Sequence, residues 1–314
     1  MNNPILREEA EAFGRHAQER YKHGHLPDLR RVTPCDWFFN NPWRRPYLIN
    51  RECGRNLRFA LQHFKPKSRL LEVGSGPGHM ALEFAREGFG VTGLELAAGA
   101  VDIARQIAKE NPCTGNFGSL EYVVDDFFAW EPLHKYDSAC MFGTLHHFVD
   151  PGEVLDRLDT MLTDDAVVVI VEPSRDRHSI HDAAIVSMIR NILSVGGHYF
   201  QEIPAPASLE EFEARAAETL REYQDATDSA EIEQSPNDNS AFSGDMLAAL
   251  RSRYDEIEFQ WGDSFMFRLG GGIRGDEREE RALAQTLDVF DRYAVKSGLM
   301  NGGEFLFAGR RKKY

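Results

Sequence analysis

The sequence predicts an α/β fold, doubly wound, with a mostly parallel sheet. Three observations carry the prediction. From about Arg69, short runs rich in Val, Leu and Ile alternate with segments of helical period, the pattern of parallel strands covered by helices on both faces. The first of these runs leads straight into a glycine-rich turn and then a helix, as the first strand of such a sheet does. Finally, a chain of 314 residues with 42% hydrophobic side chains holds enough apolar material to bury the sheet.

Residues 1–66 read as a helical and aromatic cap segment, whose run Asp36-Trp37-Phe38-Phe39-Asn40-Asn41-Pro42-Trp43 is too aromatic for a solvated tail. Residues 67–174 form the core, with strands expected at 69–73, 91–95, 120–124, 137–142 and 167–171. Helices are expected between them at 80–87 and 98–109; in the second, Val101, Ala104, Ile107 and Ala108 share one face. Residues 175–242 are an insertion, with helices at 179–193 and 209–223 and then an acidic run at 225–240. Residues 243–267 return to the core as a helix and a strand at 256–261. Residues 268–301 are a second insertion, opening on Gly270-Gly271-Gly272 and continuing as a helix with Leu283, Leu287 and Phe290 on one side. Residues 302–314 hold the Gly302-Gly303 turn, a last strand at 304–308 and the basic run Arg310-Arg311-Lys312-Lys313, expected to be a solvated tail. The last two strands are expected as a hairpin-like pair. The insertions emerge at one end of the sheet, so they read as a lid over a pocket or as surfaces joining copies in a homo-oligomer.

Lys plus Arg number 36 against 50 Asp plus Glu, a formal charge of −14. A protein that tracks phosphates carries a basic face, so nucleic acid is excluded as a partner. The purest apolar run, 166–171, falls far short of the ~20 residues that span a bilayer. Glu8-Glu9 stand where a signal peptide has basic residues and then an apolar stretch, so no membrane partner and a cytoplasmic location are expected. Cys35, Cys53, Cys113 and Cys140 lie far apart without a Cys-x-x-Cys pair, which argues against a disulfide framework or a thiolate zinc site.

The most informative run is Leu70-Leu71-Glu72-Val73-Gly74-Ser75-Gly76-Pro77-Gly78-His79. Gly74 and Gly76 let the backbone turn sharply and approach a ligand, while Gly78 permits close helix–strand packing. The spacing is G-x-G-x-G, and Glu72 stands two residues before the first glycine. A carboxylate there repels a diphosphate but suits a ligand with an ammonium group. This run resembles the first motif of the class I S-adenosylmethionine-dependent methyltransferases, and the resemblance extends over about 69–172 and the last two strands. It implies a Rossmann-like sheet and S-adenosyl-L-methionine as cofactor. Glu95 ends the second strand 21 residues after Gly74, where the family's acid accepts the ribose hydroxyls. Asp126, or alternatively Asp125, matches the acid that accepts from the adenine amine, with the Phe127 backbone N–H next to it. Ser75 in the turn, Leu96 after the ribose acid and Phe142 ending the fourth strand complete the implied cofactor set. A nicotinamide-dependent oxidoreductase shares the sheet and the ribose acid but needs a free helix N-terminus for pyrophosphate. A non-catalytic S-adenosylmethionine-binding protein is the other alternative.

In such sheets ligands sit beyond the strand ends, so chemistry is expected after the fourth strand, at Gly143-Thr144-Leu145-His146-His147. The Asn/Asp-Pro-Pro-aromatic segment of nucleobase amino-methylating enzymes is absent. The resemblance points instead to a small-molecule acceptor, methylated at oxygen or carbon. Such acceptors benefit from a base titrating near pH 7, and His146 or His147 supplies one. Glu172 ends the fifth strand beside the fourth, so it can orient His146. This is similar to the His–Glu pair of polyketide carbon-methyltransferase domains. Candidate catalytic residues are therefore His146, Glu172 and His147.

His178, His181 and Asp182 have a spacing that can bind metal on a helix, without a visible third side for the site, and no metal is expected. Trp37, Phe38, Phe39, Trp43 and Tyr47 can line an acceptor pocket or dock the segment to the core. Arg44, Arg45 and Arg51 can hold an anionic group or face solvent. Thr163-Asp164-Asp165-Ala166 stands where the family often has Gly-Gly before the fifth strand, away from the cofactor.

Overall fold

The computed structural model describes residues 4–32, 35, 42–111, 113–224 and 241–313. The chain runs α1 (Pro4–Lys22), α2 (Pro46–His63), β1 (Arg69–Val73), α3 (His79–Arg86), β2 (Gly90–Glu95), α4 (Ala98–Lys109), β3 (Ser119–Val124) and β4 (Tyr136–Phe142). It continues through α5 (Pro151–Met161), β5 (Leu162–Pro173), α6 (Ile180–Val195), α7 (Leu209–Tyr223), α8 (Ser243–Arg253), β6 (Tyr254–Trp261), α9 (Met266–Leu269), α10 (Glu277–Ser297) and β7 (Glu304–Arg311). The strands form one sheet in the order β3-β2-β1-β4-β5-β7-β6. The pairs among β1–β5 are parallel, whereas β7 runs antiparallel to both β5 and β6. This is the doubly wound architecture that the alternating runs imply.

Register does the work of assembling the site. Val73 pairs with Leu94, Leu94 with Val123, and Phe142 with Val171. The last residues of five parallel strands therefore share one edge, and every loop that follows them opens there. Each sheet face carries its own core. Leu71, Met141, Val168 and Ile170 pack on Leu155, Leu158, Met246 and Leu250 of α5 and α8. On the other face Leu70, Val91, Cys140 and Val169 pack on Leu57, Ala81, Phe84 and Val101 of α2, α3 and α4. The N-terminus of α5 is fixed locally: Asp150 accepts from Gly152 N at 2.7 Å, and Pro151 opens the helix.

Outside the sheet a third cluster joins Leu48, Val186, Ile189, Leu193, Phe265, Leu269 and Ala284, so α6, α9, α10 and the N-terminal segment share one apolar core. Two expectations change here. The last two strands are neighbours but no hairpin, because α9 and α10 lie between them and β7 inserts beside β5. Gly270–Gly272, which opens the second insertion, forms a buried turn, with Phe200 N donating to Gly272 O at 2.8 Å. The basic run is no tail: Arg310 and Arg311 are paired in β7, and Lys313 lies 2.7 Å from Asp165. The acidic run 225–240 and the aromatic run at 36–41 lie outside the described residues. Among the described residues no helix is long and apolar enough to cross a membrane.

Candidate functional site

Gly74, Gly76 and Gly78 all hold positive φ, at 69°, 52° and 76°, which glycine adopts without a side-chain clash. Gly74 N and Ser75 N donate to Leu94 O at 2.8 and 3.1 Å, pinning the loop to β2. The three glycines differ in what surrounds them. A Cβ on Gly74 would overlap Thr144, and one on Gly78 would overlap Tyr122 and Ala104. A Cβ on Gly76 would meet nothing within 4 Å. That bare face opens on a cavity of about 870 Å³, lined by Gly74, Ser75 and Gly76 but not by Gly78. Gly78 serves packing instead, its carbonyl accepting from Tyr122 Oη at 2.8 Å.

Acidic side chains from three strands ring this cavity. Glu72 is 3% exposed, its Oε2 has no hydrogen-bond partner among the described residues, and burial pushes its carboxyl up to about 8. Glu95 accepts from Gly76 N at 2.8 Å and from Ala97 N at 2.9 Å. Burial raises its pKa, and those N–H groups oppose the rise. Leu96, Asp125, Asp126 and Phe127 line the same space, as does Phe142, which stacks on Phe84. Asp125 accepts from Asp126 N, and Asp126 from Phe128 N, so the two acids order the turn after β3.

After β4 the chain turns at Gly143 and forms a short 3₁₀ turn over Leu145–His147. Glu172, 1% exposed, reaches across from β5: its Oε1 accepts from Thr144 N at 2.8 Å and Leu145 N at 2.7 Å. Its Oε2 lies 2.7 Å from His146 Nδ1. A carboxylate on Nδ1 favours the tautomer that keeps the proton there and leaves Nε2 as the ring's acceptor. His147 sits beside it, ring centres 4.0 Å apart, against the edge of Phe13.

A second cavity of about 360 Å³ shares Phe142, Gly143, His146, His79 and Met80 with the first. Glu172 and Trp43 line it, with Tyr223, Ser264 and Phe267 from the cap. His146 and His147 are therefore not the only imidazoles at this edge. His79 lines both cavities, its pKa lowered to about 4 by burial, with Arg20 adding to the effect. From α1, Glu9, Phe13, His16 and Arg20 line the larger cavity. Their spacing of four, three and four residues marks one helical face, a signal readable in the sequence.

Other candidates lie elsewhere. Arg44 and Arg45 pair with Glu280 at 2.8 and 2.9 Å, and Arg51 pairs with Asp263 and Asp288 at 2.7 and 2.6 Å. They tie the N-terminal segment to the cap and do not line the larger cavity, and only Arg45 keeps a substantial share of its side chain exposed, 36%. Tyr47 donates to Glu280. Asp182 is engaged as the partner of Ser179 in a capping box and accepts twice from Asn301, while His178 is buried and His181 exposed. No group of three His, Cys, Asp or Glu side chains that could hold a metal ion occurs among the described residues.

The family model described as a methyltransferase domain matches residues 44–218. The ubiquinone biosynthesis O-methyltransferase of Actinobacillus pleuropneumoniae is 25% identical over 145 residues, covering 45% of this chain and 61% of that protein. That of Haemophilus ducreyi is 26% identical over 192 residues, covering 59% and 78%. The chain thus spans about three fifths of the length of the first of these relatives. A geranyl diphosphate C-methyltransferase from Streptomyces coelicolor A3(2), solved with Mg2+, geranyl diphosphate and S-adenosyl-L-homocysteine, covers 99% of both chains at 14% identity and a TM-score of 0.53. That likeness is one of fold.

Proposed function

This chain belongs to the methyltransferase-domain family, class I and S-adenosylmethionine-dependent, and from that premise we propose that it methylates an oxygen or carbon of a small-molecule acceptor, with His146 as general base. The observation that carries the proposal is the 2.7 Å contact of Glu172 with His146 Nδ1, at a side chain lining both cavities.

The residues present fit the cofactor. The open face of Gly76 admits a ligand against backbone, the unpartnered Glu72 oxygen suits an ammonium group, and about 870 Å³ falls within the range of small-molecule sites. Glu95 and Asp126 would hold the ribose and adenine, Gly74, Ser75 and Leu96 the intervening backbone. S-adenosylmethionine supplies a methyl group that is already activated. The protein's task is then to hold the acceptor in line and to take its proton. Glu172 keeps Nδ1 protonated, so Nε2 accepts that proton, and the carboxylate stabilises the imidazolium that forms. Glu172 also fixes the loop through Thr144 N and Leu145 N.

Calorimetry with S-adenosylmethionine and with NAD, followed by transfer of a labelled methyl group to an acceptor panel, tests the reading. Binding of the first ligand alone and transfer that falls about 10²–10⁴-fold in His146→Ala support it. A full rate in His146→Ala with intact cofactor affinity refutes the base.

A further inference from the structure

The N-terminal helix forms part of the larger cavity's wall. It lies across the start of α4, where a Cβ on Gly99 would stand 3.1 Å from Gly14 Cα. Ala17 packs there with Ala97 and Ala100, and Ala10 and Phe13 lie against them. Ala97 N also donates to Glu95, so α1 rests over the loop that carries this acid. The Phe13 ring stands edge-on to His147 at 5.4 Å. Glycine, alanine and phenylalanine contacts therefore set the rotation of α1 about its own axis.

That rotation turns an acid inward. Glu9 stands one turn before Phe13 on the same face. It lines the larger cavity and is 9% exposed, whereas Arg7, Glu8 and Glu11 are exposed. Glu95 lines the same cavity, and the Glu9 charge contributes to the rise in its pKa, so each carboxylate lies in the field of the other. Both Glu95 oxygens accept from backbone, one from Gly76 N and one from Ala97 N, and each keeps the capacity for a second donor. Among the described residues, the arginines lining this cavity are Arg20 and Arg175. Arg20 is three turns farther along α1, about 16 Å, and Arg175 follows β5. Two carboxylates that only accept need a ligand that brings donors between them, and they repel an anion. A vicinal diol has the right count, with two O–H donors on adjacent carbons and no charge.

We propose that α1 is the outer wall of the ribose site and that Glu9 shares the cofactor's diol with Glu95, one hydroxyl donating to each carboxylate. The inference rests on the methyltransferase reading above and adds a cofactor-binding residue from outside the sheet.

The test titrates S-adenosylhomocysteine and its 2′,3′-dideoxy analogue into the full-length protein by calorimetry. The wild type should bind S-adenosylhomocysteine at least about tenfold more tightly than the analogue. Glu9→Gln, which keeps an oxygen but loses the charge, should weaken S-adenosylhomocysteine about fivefold, and Glu9→Ala about ten- to a hundredfold. Neither variant should weaken the analogue, which has no hydroxyl to lose. A residue that merely held α1 in place would weaken both ligands alike. Hydrogen exchange over residues 4–22 of the free protein gives a second readout, and Glu9→Gln should match the wild type there because Gly14, Ala17 and Phe13 hold the helix. Equal wild-type affinity for the two ligands, undiminished S-adenosylhomocysteine affinity in both variants, parallel losses for both ligands, or faster exchange of α1 in free Glu9→Gln would each overturn the assignment. Failure of the wild type to bind S-adenosylhomocysteine would instead overturn the methyltransferase reading.

Discussion

Replacing Glu172 by Gln separates the orienting role of this carboxylate from its role in holding the loop. The amide has one oxygen. If that oxygen keeps the bonds from Thr144 N and Leu145 N, now 2.8 and 2.7 Å, the NH₂ group faces His146 Nδ1. The ring must then accept at Nδ1 and carry its proton on Nε2, where it can no longer take one from the acceptor. The flipped amide would set its NH₂ against two buried N–H groups, leaving both unpaired at a cost of about 1–3 kcal/mol each. The flip is disfavoured, so the inactive tautomer is imposed. The expected loss is about 10²–10⁴-fold in the rate of transfer, or about 3–5 kcal/mol in the barrier. Stability should fall by about 2 kcal/mol, because two backbone bonds change from a charged to a neutral acceptor. Cofactor affinity should hold, since Glu172 lines the smaller cavity and not the larger. Single-turnover transfer of labelled methyl, calorimetry with S-adenosylmethionine and a thermal melt measure the three quantities. A folded variant that transfers within about threefold of the wild-type rate refutes the reasoning.

His79→Ala should slow transfer less than about tenfold while His146→Ala slows it at least about a hundredfold; the reverse order in single-turnover rates moves the base to His79. Gly76→Val puts a branched side chain into the larger cavity, where we place the cofactor, at a φ of 52°, so it should abolish S-adenosylmethionine binding and destabilise by about 1–3 kcal/mol. Calorimetry showing ordinary affinity in that variant contradicts the placement of the cofactor. Glu72 has a folded pKa near 8 against about 4.3 unfolded, so folding favours its protonated form. Its contribution is complete below about pH 4 and is lost as pH rises through about 8. The melting temperature of Glu72→Gln relative to wild type should therefore climb between about pH 5 and about pH 9, and a constant difference rules out the raised pKa.

What the sequence reveals about this site follows from local rules. A strand running into G-x-G-x-G declares its own turn, and parallel register then brings the ends of β1, β2, β4 and β5 to one edge. Glu72, Glu95, His146 and Glu172 can be placed from that alone. Hidden residues are those whose neighbours are distant in the chain. Arg44 meets Glu280 across 236 positions, so three exposed-looking arginines turn out to be the ties of the cap. Tyr223 and Ser264 are brought to one cavity by the docking of separate elements, and no spacing rule relates them. His79 stands beside the glycine motif, yet its access to both cavities depends on how α3 leaves the loop.

The two acids that end β2 and β5 solve the same structural problem. Glu95 accepts from Gly76 N, and Glu172 accepts from Thr144 N and Leu145 N; each staples the loop of the adjacent strand while turning toward a cavity. On the proposed reading, the staple and the chemistry therefore use the same carboxylate. Truncating either acid to Ala leaves buried N–H groups without an acceptor, so the loop relaxes and cofactor or acceptor binding falls for a reason unrelated to ribose contact or tautomer. A large effect in Glu95→Ala is thus no measure of a ribose hydrogen bond. Only the isosteric amides, which keep an oxygen for the backbone and change what faces the ligand, distinguish a residue that touches the reaction from one that holds its surroundings.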